Sequence, residues 1–380
     1  MSKTVSILFT HTSALIGGGN KVLLSVFAGL DRARYAPISV LPERGPMEAE
    51  LKKLQVPNII LDVRPGKGRL RMGVAMLRLA RHIRSNGVSI VHANDPFTYR
   101  VASLAAGMTR TPAVCHFHHP DQDVKSVAWA FGRVPAAVLT PTEYVKEKVS
   151  EWLGDMAAGM VRVVGNPIDT DWFSPAADVK EVRARLGIST TCPQITIIGA
   201  LTPHKGHDCF LRAAKLIVKR YPDTKFNVVG SAQSGDRAWA ERIQEQARQL
   251  GVEKSIRFWG FVSDAISRDL LSVSDIFMLP TQLEGFGLVI AEALACGVPV
   301  ITSAIRPLDE IVVDDKSGFL VSPDDPEQFA LRACDLLESP KVCRDFGDFG
   351  RQFVCARFGA RSVVERIVEQ YTEILRGRKK

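Results

Sequence analysis

Short β-rich apolar runs alternate with helical stretches along this chain in two rounds, with one break between them. The first round carries "VSILFT", "APISVL", "SIVHA", "AVCHF", "AVLTP" and "VRVVG", with helical patterns at 20–29, 69–85 and 143–153. Parallel strands need a crossover of about a dozen residues or more, usually a helix, so this rhythm dictates βαβ units and a parallel sheet. After "GNPIDTDWFSPAAD" at 165–178, a passage with little periodicity, the rhythm restarts with "QITIIGA" and a helix at 208–220. It continues through "KFNVVG", a helix at 238–250, "SIRFWG", "DIFMLP", a helix at 287–296 and "VPVIT". At 380 residues the chain exceeds the roughly 250–300 at which a single core stops growing. The reading is α/β, with two Rossmann-like domains, 1–175 and 176–358, and a helical tail, 359–380, that packs back on the first. Two such domains facing each other leave a central cleft at the C-terminal ends of their strands, where open α/β sheets bind ligands.

The composition, 46% hydrophobic and 24% charged, belongs to a globular chain rather than a disordered one. The opening "MSKTVSILFTHTS" suits a first strand better than a secretory signal, and no segment reaches the roughly 18–20 apolar residues of a membrane span. Seven cysteines with no CxxC and no zinc spacing read as reduced thiols in a cytoplasmic setting. A net charge of +8 favours anionic partners, whether nucleotides, anionic lipid surfaces or nucleic acid, without choosing among them.

The stretch "LEGFGLVIAEALACG" at 283–297 holds the strongest chemical signal. It follows the strand "DIFMLP", and Gly297 and Pro299 stop the helix that runs through it. Every position from Leu288 to Cys296 is apolar except Glu292. A carboxylate there must find donors, either protein groups or ligand hydroxyls, because an unpaired buried charge is strongly destabilising. Glu284 lies just before the helix, and Gly285 and Gly287 leave backbone N–H groups bare at its positive end, which suits phosphate or polar sugar contacts. Pattern alone also allows Glu284 to be an exposed turn acid and Glu292 to cap a neighbouring loop.

The spacing Glu284-x7-Glu292 within "EGFGLVIAEALACGVPVITS" resembles the signature of the retaining glycosyltransferases of GT-B fold called family 4. The linker "VVGNPIDTDWFSP" resembles that family's "NGVDTxxFxP". "FWGFVSDAISRDLLSVSDIFMLPT" is similar to its base-binding region, and "DEIVVDDKSGFLVSPDDPEQFA" to the family's segment C-terminal to the signature. The resemblance covers most of the chain. It implies that Glu284, Gly285, Phe286 and Gly287 contact the donor sugar, that Glu292 holds the ribose hydroxyls, and that the helix start at Leu288 faces the diphosphate. On the same ground Gly230, Phe261 and Val262 join the donor site.

The passage "GALTPHKGHD", 199–208, resembles the family's "GRLxxxKG". Lys205 then matches the lysine that neutralises the donor diphosphate, where a cation stabilises the leaving phosphate; the plain alternative is a solvated loop lysine. The family's arginine is replaced by Ala200, with His204 and Arg306 as rival substitutes. In the first domain Gly17, Gly18 and Gly19 form a strand-to-helix loop able to approach a phosphate. This loop resembles the family's "GGxER", with Asn20 and Lys21 in place of Glu-Arg, and the dinucleotide fingerprint GxGxxG is absent. In "CHFHHPD", His118 matches the family's histidine near the reacting sugar; the resemblance groups it with Lys205 and Glu284 as catalytic. His92 matches a histidine of the cleft wall. A histidine at a strand end is otherwise a structural hydrogen-bonder.

"DQD" at 121–123 and "DTD" at 169–171 look like the metal-binding DxD of the other glycosyltransferase fold, but such triplets arise by chance among 41 acids, and no essential metal is expected. A basic segment runs from Arg64 through Lys67, Arg69, Arg71, Arg78 and Arg81 to Arg84, with no acid between Asp62 and Asp95. With Leu70, Val74, Leu77 and Leu79 at helical spacing, it reads either as a basic amphipathic helix on an anionic bilayer or as a solvated face of an ordinary helix.

The resemblance implies a retaining transferase. It moves a sugar from a UDP- or GDP-linked donor to a saccharide or lipid-linked acceptor, as in polysaccharide or glycoconjugate synthesis. No cofactor is expected, and the setting is cytoplasmic, with peripheral contact to the inner face of the membrane left open. Rival readings are a sugar-nucleotide epimerase of the same fold and a non-catalytic binder, the latter favoured by Ala200. Nucleic-acid binding rests on charge alone and is not expected, because no aromatic-rich basic motif is present.

Overall fold

Both rounds of the sequence rhythm become parallel sheets in the computed structural model, which describes residues 4–64, 68–119, 133–154, 159–232 and 236–377. The first sheet contains β1 (Val5–Thr10), β2 (Tyr35–Leu41), β3 (Asn58–Ile60), β4 (Ile90–Ala93), β5 (Ala113–His116), β6 (Ala137–Thr140) and β7 (Val161–Val163). Its strand order is β3-β2-β1-β4-β5-β6-β7, with Leu8 paired to both Ile38 and Val91. Among the described residues the crossover helices are α1 (Gly18–Gly29), α2 (Pro46–Lys53), α3 (Arg69–Ser85), α4 (Pro96–Met108) and α5 (Glu143–Leu153). Side-chain caps start two of them: Asp95 accepts from the Thr98 N–H of α4 at 2.8 Å, and Thr142 from the Val145 N–H of α5 at 3.2 Å.

The second sheet is built by α6 (Val179–Leu186), β8 (Gln194–Ile198), α7 (His207–Arg220), β9 (Lys225–Val229), α8 (Arg237–Gln249), β10 (Ile256–Gly260) and α9 (Asp264–Ser272). β11 (Ile276–Leu279), α10 (Leu288–Ala295), β12 (Val300–Ser303), β13 (Gly318–Val321), α11 (Pro326–Glu338) and α12 (Pro340–Phe358) complete it. Its order is β10-β9-β8-β11-β12-β13. In each sheet the order reverses beside the first strand, between β1 and β4 and between β8 and β11. Loops leaving those strands at their C-terminal ends part to opposite sides, which makes a crevice for ligands.

Strands β4, β5, β6, β11 and β12 are buried along their whole length, as expected for parallel strands covered on both faces. The chain divides into two units, Met1–Pro167 with Ala360–Lys380, and Ile168–Gly359. The sequence pattern places the first division at 175/176 instead. Residues 168–175 group with the second unit because Ile168 N–H donates to Phe358 O at 2.8 Å and Phe173 packs against that unit's core. The last helix, α13 (Ala360–Gly377), lies in the first unit, where Val363, Val364, Ile367 and Tyr371 enter the core beside Ile7, Phe9 and Phe27.

Candidate active site

In the second unit, four neighbouring strands deliver the expected donor residues at their C-terminal ends. Lys205 follows β8, Gly230 follows β9, Phe261 and Val262 follow β10, and Glu284 to Gly287 follow β11. The loop after β8 closes in a 3₁₀ turn, Pro203–Lys205, pinned to the end of β11. Thr281 Oγ1 donates to His204 O at 3.1 Å and Gln282 N–H to the same oxygen at 2.8 Å. Gly206 turns the chain at φ 72°, and a Cβ there would lie 1.9 Å from Pro280 O, so only glycine lets the two loops approach this closely.

This approach lets Lys205 Nζ donate to Glu284 Oε1, with the lysine side chain 21% and the glutamate 11% exposed. Neither the solvated loop lysine nor the exposed turn acid describes these side chains. The lysine stem runs along Gly199, and Gly230 has a packing reason of its own, since a Cβ there would sit 1.8 Å from Gly199 O. Phe286 is buried, edge-on to Phe358 at 5.0 Å, which fixes the backbone between Gly285 and Gly287 and turns its ring away from solvent. Gly287 takes the N-cap of α10 at φ 87°; Leu288 opens that helix, and Glu292, half-buried, follows one turn later. Phe261 is 85% exposed, a bare aromatic face beside half-buried Val262.

Ala200 is half-buried and offers no charge. Of its two rival substitutes, Arg306 is exposed and lies 3.8 Å from Asp309 and 3.6 Å from Glu310, while His204 stands 3.4 Å from Thr202 Oγ1. "DTD" at 169–171 serves the local turn, where Asp169 Oδ1 accepts from the N–H groups of Asp171 and Trp172 at 3.2 and 2.9 Å. "DQD" at 121–123 lies outside the described residues, as do Lys67 and the side chain of Arg69. Among the described residues no group of three or more His, Cys, Asp or Glu is arranged to hold a metal ion, and all seven cysteines are free.

In the first unit, a cavity of about 360 Å³ opens at the β1/β4 reversal. Gly17, Gly18 and Gly19 form one wall; Thr12, Asn94, Asp95 and His118 form the other. Asn20, which departs from the family's glutamate, braces this loop: its amide donates to Ser13 O and Leu15 O at 2.9 and 2.7 Å. Its carbonyl accepts from His11 Nδ1 at 2.8 Å, and His11 Nε2 accepts from Ser39 Oγ at 2.8 Å. Burial lowers His11 to about 4.

His118 Nε2 donates to Asn94 Oδ1 at 2.8 Å, and Asn94 Nδ2 donates to Gly19 O at 3.2 Å. Asn94 therefore fixes the imidazole tautomer and ties it to the glycine loop. The rings of His118 and His116 stack at 4.3 Å, with His92 5.4 Å beyond. Burial holds His118 at about 4 and His92 at about 3, and lowers His116 as well, so all three are neutral at pH 7. His92 bonds Tyr371 Oη at 2.6 Å and ties α13 to the sheet, a structural role. Asn94 escaped the sequence reading, and Asn20 entered it only as a departure from the family's pattern; the position of Asn94 directly after β4, at the strand-order reversal, was the available signal.

The chain matches the family described as Glycosyltransferase Family 4 over residues 16–172 and the one described as Glycosyl transferases group 1 over residues 178–353. D-inositol 3-phosphate glycosyltransferase 2 of Catenulispora acidiphila is 29% identical over 302 residues, 74% of this chain and 70% of that protein. The GDP-mannose-dependent alpha-(1-6)-phosphatidylinositol monomannoside mannosyltransferase of Mycolicibacterium smegmatis is 28% identical over 276 residues, 70% of each. Among solved structures, Anabaena HepE in complex with UDP superposes with a TM-score of 0.86 at 21% identity, covering 97% of this chain and 100% of that one. A glycosyltransferase of Rickettsia africae superposes with a TM-score of 0.86 at 22% identity, over 98% and 99%. With its two parallel Rossmann-like halves and family matches along most of its length, the chain belongs to the family 4 type of GT-B glycosyltransferases.

Proposed function

We propose that this glycosyltransferase takes its sugar from a nucleoside-diphosphate donor bound in the second unit, and transfers it to an acceptor hydroxyl with retention of configuration. The Lys205–Glu284 ion pair at the β8/β11 reversal carries the reading. A cation held beside the N-terminus of α10 suits a diphosphate, and a carboxylate flanked by glycine amides suits sugar hydroxyls. Glu292 is assigned to the ribose, and the exposed ring of Phe261 with Val262 to the base. The names of the relatives agree in kind: one is GDP-mannose-dependent, and HepE was solved with UDP-glucose as well as UDP.

In the proposed step the acceptor oxygen attacks the anomeric carbon on the face that the diphosphate leaves. The acceptor proton passes to a donor phosphate oxygen as the carbon–oxygen bond to phosphate breaks. Lys205 and the amides at the start of α10 stabilise the negative charge that collects on the departing diphosphate. His118, neutral and fixed by Asn94, is assigned to a hydroxyl of the reacting sugar or acceptor, with saccharides and lipid-linked saccharides as the acceptor class. No step uses a metal or an added cofactor. A thermal-shift panel of UDP-, GDP- and ADP-sugars tests the donor, since a ligand that binds only the folded chain raises its melting temperature. The anomeric configuration of the product tests retention; an inverted product refutes that step.

A further inference from the structure

At the amino ends of β8, β9 and β10, the end of the second sheet away from Lys205 and Glu284, lies a cavity of about 200 Å³. The length of β8, roughly 13 Å at about 3.3 Å per residue, separates it from the donor loops. Its floor is a polar strip of the strands. Gln194 and Asn227 are 1% and 2% exposed, and Asn227 Nδ2 donates to Gln194 Oε1 at 3.1 Å. Asn227 Oδ1 accepts from Trp259 Nε1 at 3.0 Å, so both side-chain acceptors of the floor are occupied inside the protein. At the rim, Leu186 O and Gly187 O accept from Arg257 Nη1 at 3.1 and 3.0 Å, and the guanidinium stands 3.7 Å from the centroid of the Trp259 ring.

The donors, in contrast, are left over. Lys225, Lys254, Ser255 and Arg257 line the cavity, and no carboxylate does. Among the described residues Lys225 Nζ, Lys254 Nζ and Ser255 Oγ have no protein partner, and Arg257 keeps its Nε and Nη2 groups free. Asp275, which accepts from Gln194 N–H at 2.6 Å, is already paired with Arg183 at 2.8 Å, while Asp223 and Glu253 are exposed. Lys225 is half-buried, and an ammonium so placed gains most from a counter-charge. A phosphate group brings at least three acceptor oxygens to these four donor side chains, where a carboxylate brings two. We infer that this cavity binds a phosphate group, either the free ion or that of a small phosphomonoester, between Lys225, Lys254 and Arg257. The site is separate from the donor residues and does not rest on their assignment.

Calorimetric titration of the full chain with inorganic phosphate and with glycerol 3-phosphate tests it, with sodium chloride at matched ionic strength as the blank. Every protein carries Lys205→Ala, so that the proposed diphosphate site does not contribute. Saturable binding is expected; tighter binding of glycerol 3-phosphate assigns the site to a phosphomonoester, and tighter binding of inorganic phosphate to the free ion. Lys225→Gln with Lys254→Gln should lower the affinity at least about tenfold. Lys254→Glu alone, at an exposed position outside every strand, should lower it about fivefold, which keeps the test independent of any disturbance of β9 by the first variant. Lys215→Gln with Lys219→Gln removes the same charge from exposed positions of α7 and should bind as the Lys205→Ala parent does. Equal affinity in the cavity and control variants overturns the inference. So does the absence of saturation by either probe below about 10 mM.

Discussion

Lys205 and Glu284, 79 residues apart in sequence, form an ion pair at the point where the second sheet reverses its strand order. Each lies on a loop that the other loop holds in place, through Thr281, Gln282 and the carbonyl of His204. In the proposed reading, a diphosphate bound there would exchange one anionic partner of the lysine for another. The carboxylate would then be free to turn to sugar hydroxyls without either group being stranded.

Gly206 makes that pairing sterically feasible. Gly206→Ala combines φ 72° with a Cβ 1.9 Å from Pro280 O, so the loop must move and Lys205 moves with it. The expected cost is on the order of 1–3 kcal/mol of stability, and donor turnover should fall more than tenfold. Urea denaturation with turnover on the same preparation checks this. An unchanged midpoint with unchanged turnover would be inconsistent with the described loop.

Asn94 positions His118. Replacing it by aspartate sets a carboxylate where the amide oxygen lay 2.8 Å from Nε2, which favours the imidazolium and raises His118 from about 4. The acid limb of the pH–rate profile of Asn94→Asp should therefore lie at higher pH, by about one unit or more. The conservative swap also loses the donor to Gly19 O. Profiles of kcat/KM that superimpose for both proteins would remove Asn94 from this role.

Burial depresses His11 and His118 to about 4 and His92 to about 3, and lowers His116, against an ordinary value of 6.5. The unfolded chain binds more protons than the folded one below pH 6.5. Stability is thus complete above that value and falls as pH drops toward 4, by up to about 1.4 kcal/mol per pH unit for each histidine. Melting temperature should decline between pH 7 and 5. His116→Leu should flatten the decline without loss at pH 7, because neither ring nitrogen of His116 has a partner among the described residues. A pH-independent melting temperature would refute the buried neutral set.

Tyr371 lies in α13 and bonds His92 Nδ1 at 2.6 Å. Tyr371→Phe keeps the ring packing and strands that nitrogen, an expected loss of about 1–3 kcal/mol. Denaturant titration should show a lower midpoint at unchanged slope.

Periodicity made the helices legible: the pattern at 69–85 is α3 to the residue, because its buried side repeats every 3.6 positions. Glu292 stood out because no other polar residue interrupts α10. What pattern could not show was proximity between distant loops. Glu284 looked equally like an exposed turn acid until the turn at Gly206 placed Lys205 against it. Asn20 looked like a departure from the family, and its three hydrogen bonds to the loop and His11 are set by tertiary geometry alone. The division at 167/168 rather than 175/176 likewise depends on contacts of Ile168 and Phe173 that leave no local trace.

Donor binding and turnover by Lys205→Ala and Glu284→Gln test the central claim most directly, with UDP- and GDP-sugars titrated calorimetrically against each protein. The account predicts that the unaltered chain binds at least one donor, and that each substitution abolishes measurable binding or lowers turnover about 10²–10³-fold. The unliganded melting temperature should fall in both variants, because each leaves one charge of a largely buried pair without its partner, so binding and turnover are compared at temperatures where both variants remain folded. Undiminished binding and turnover in both variants would contradict it.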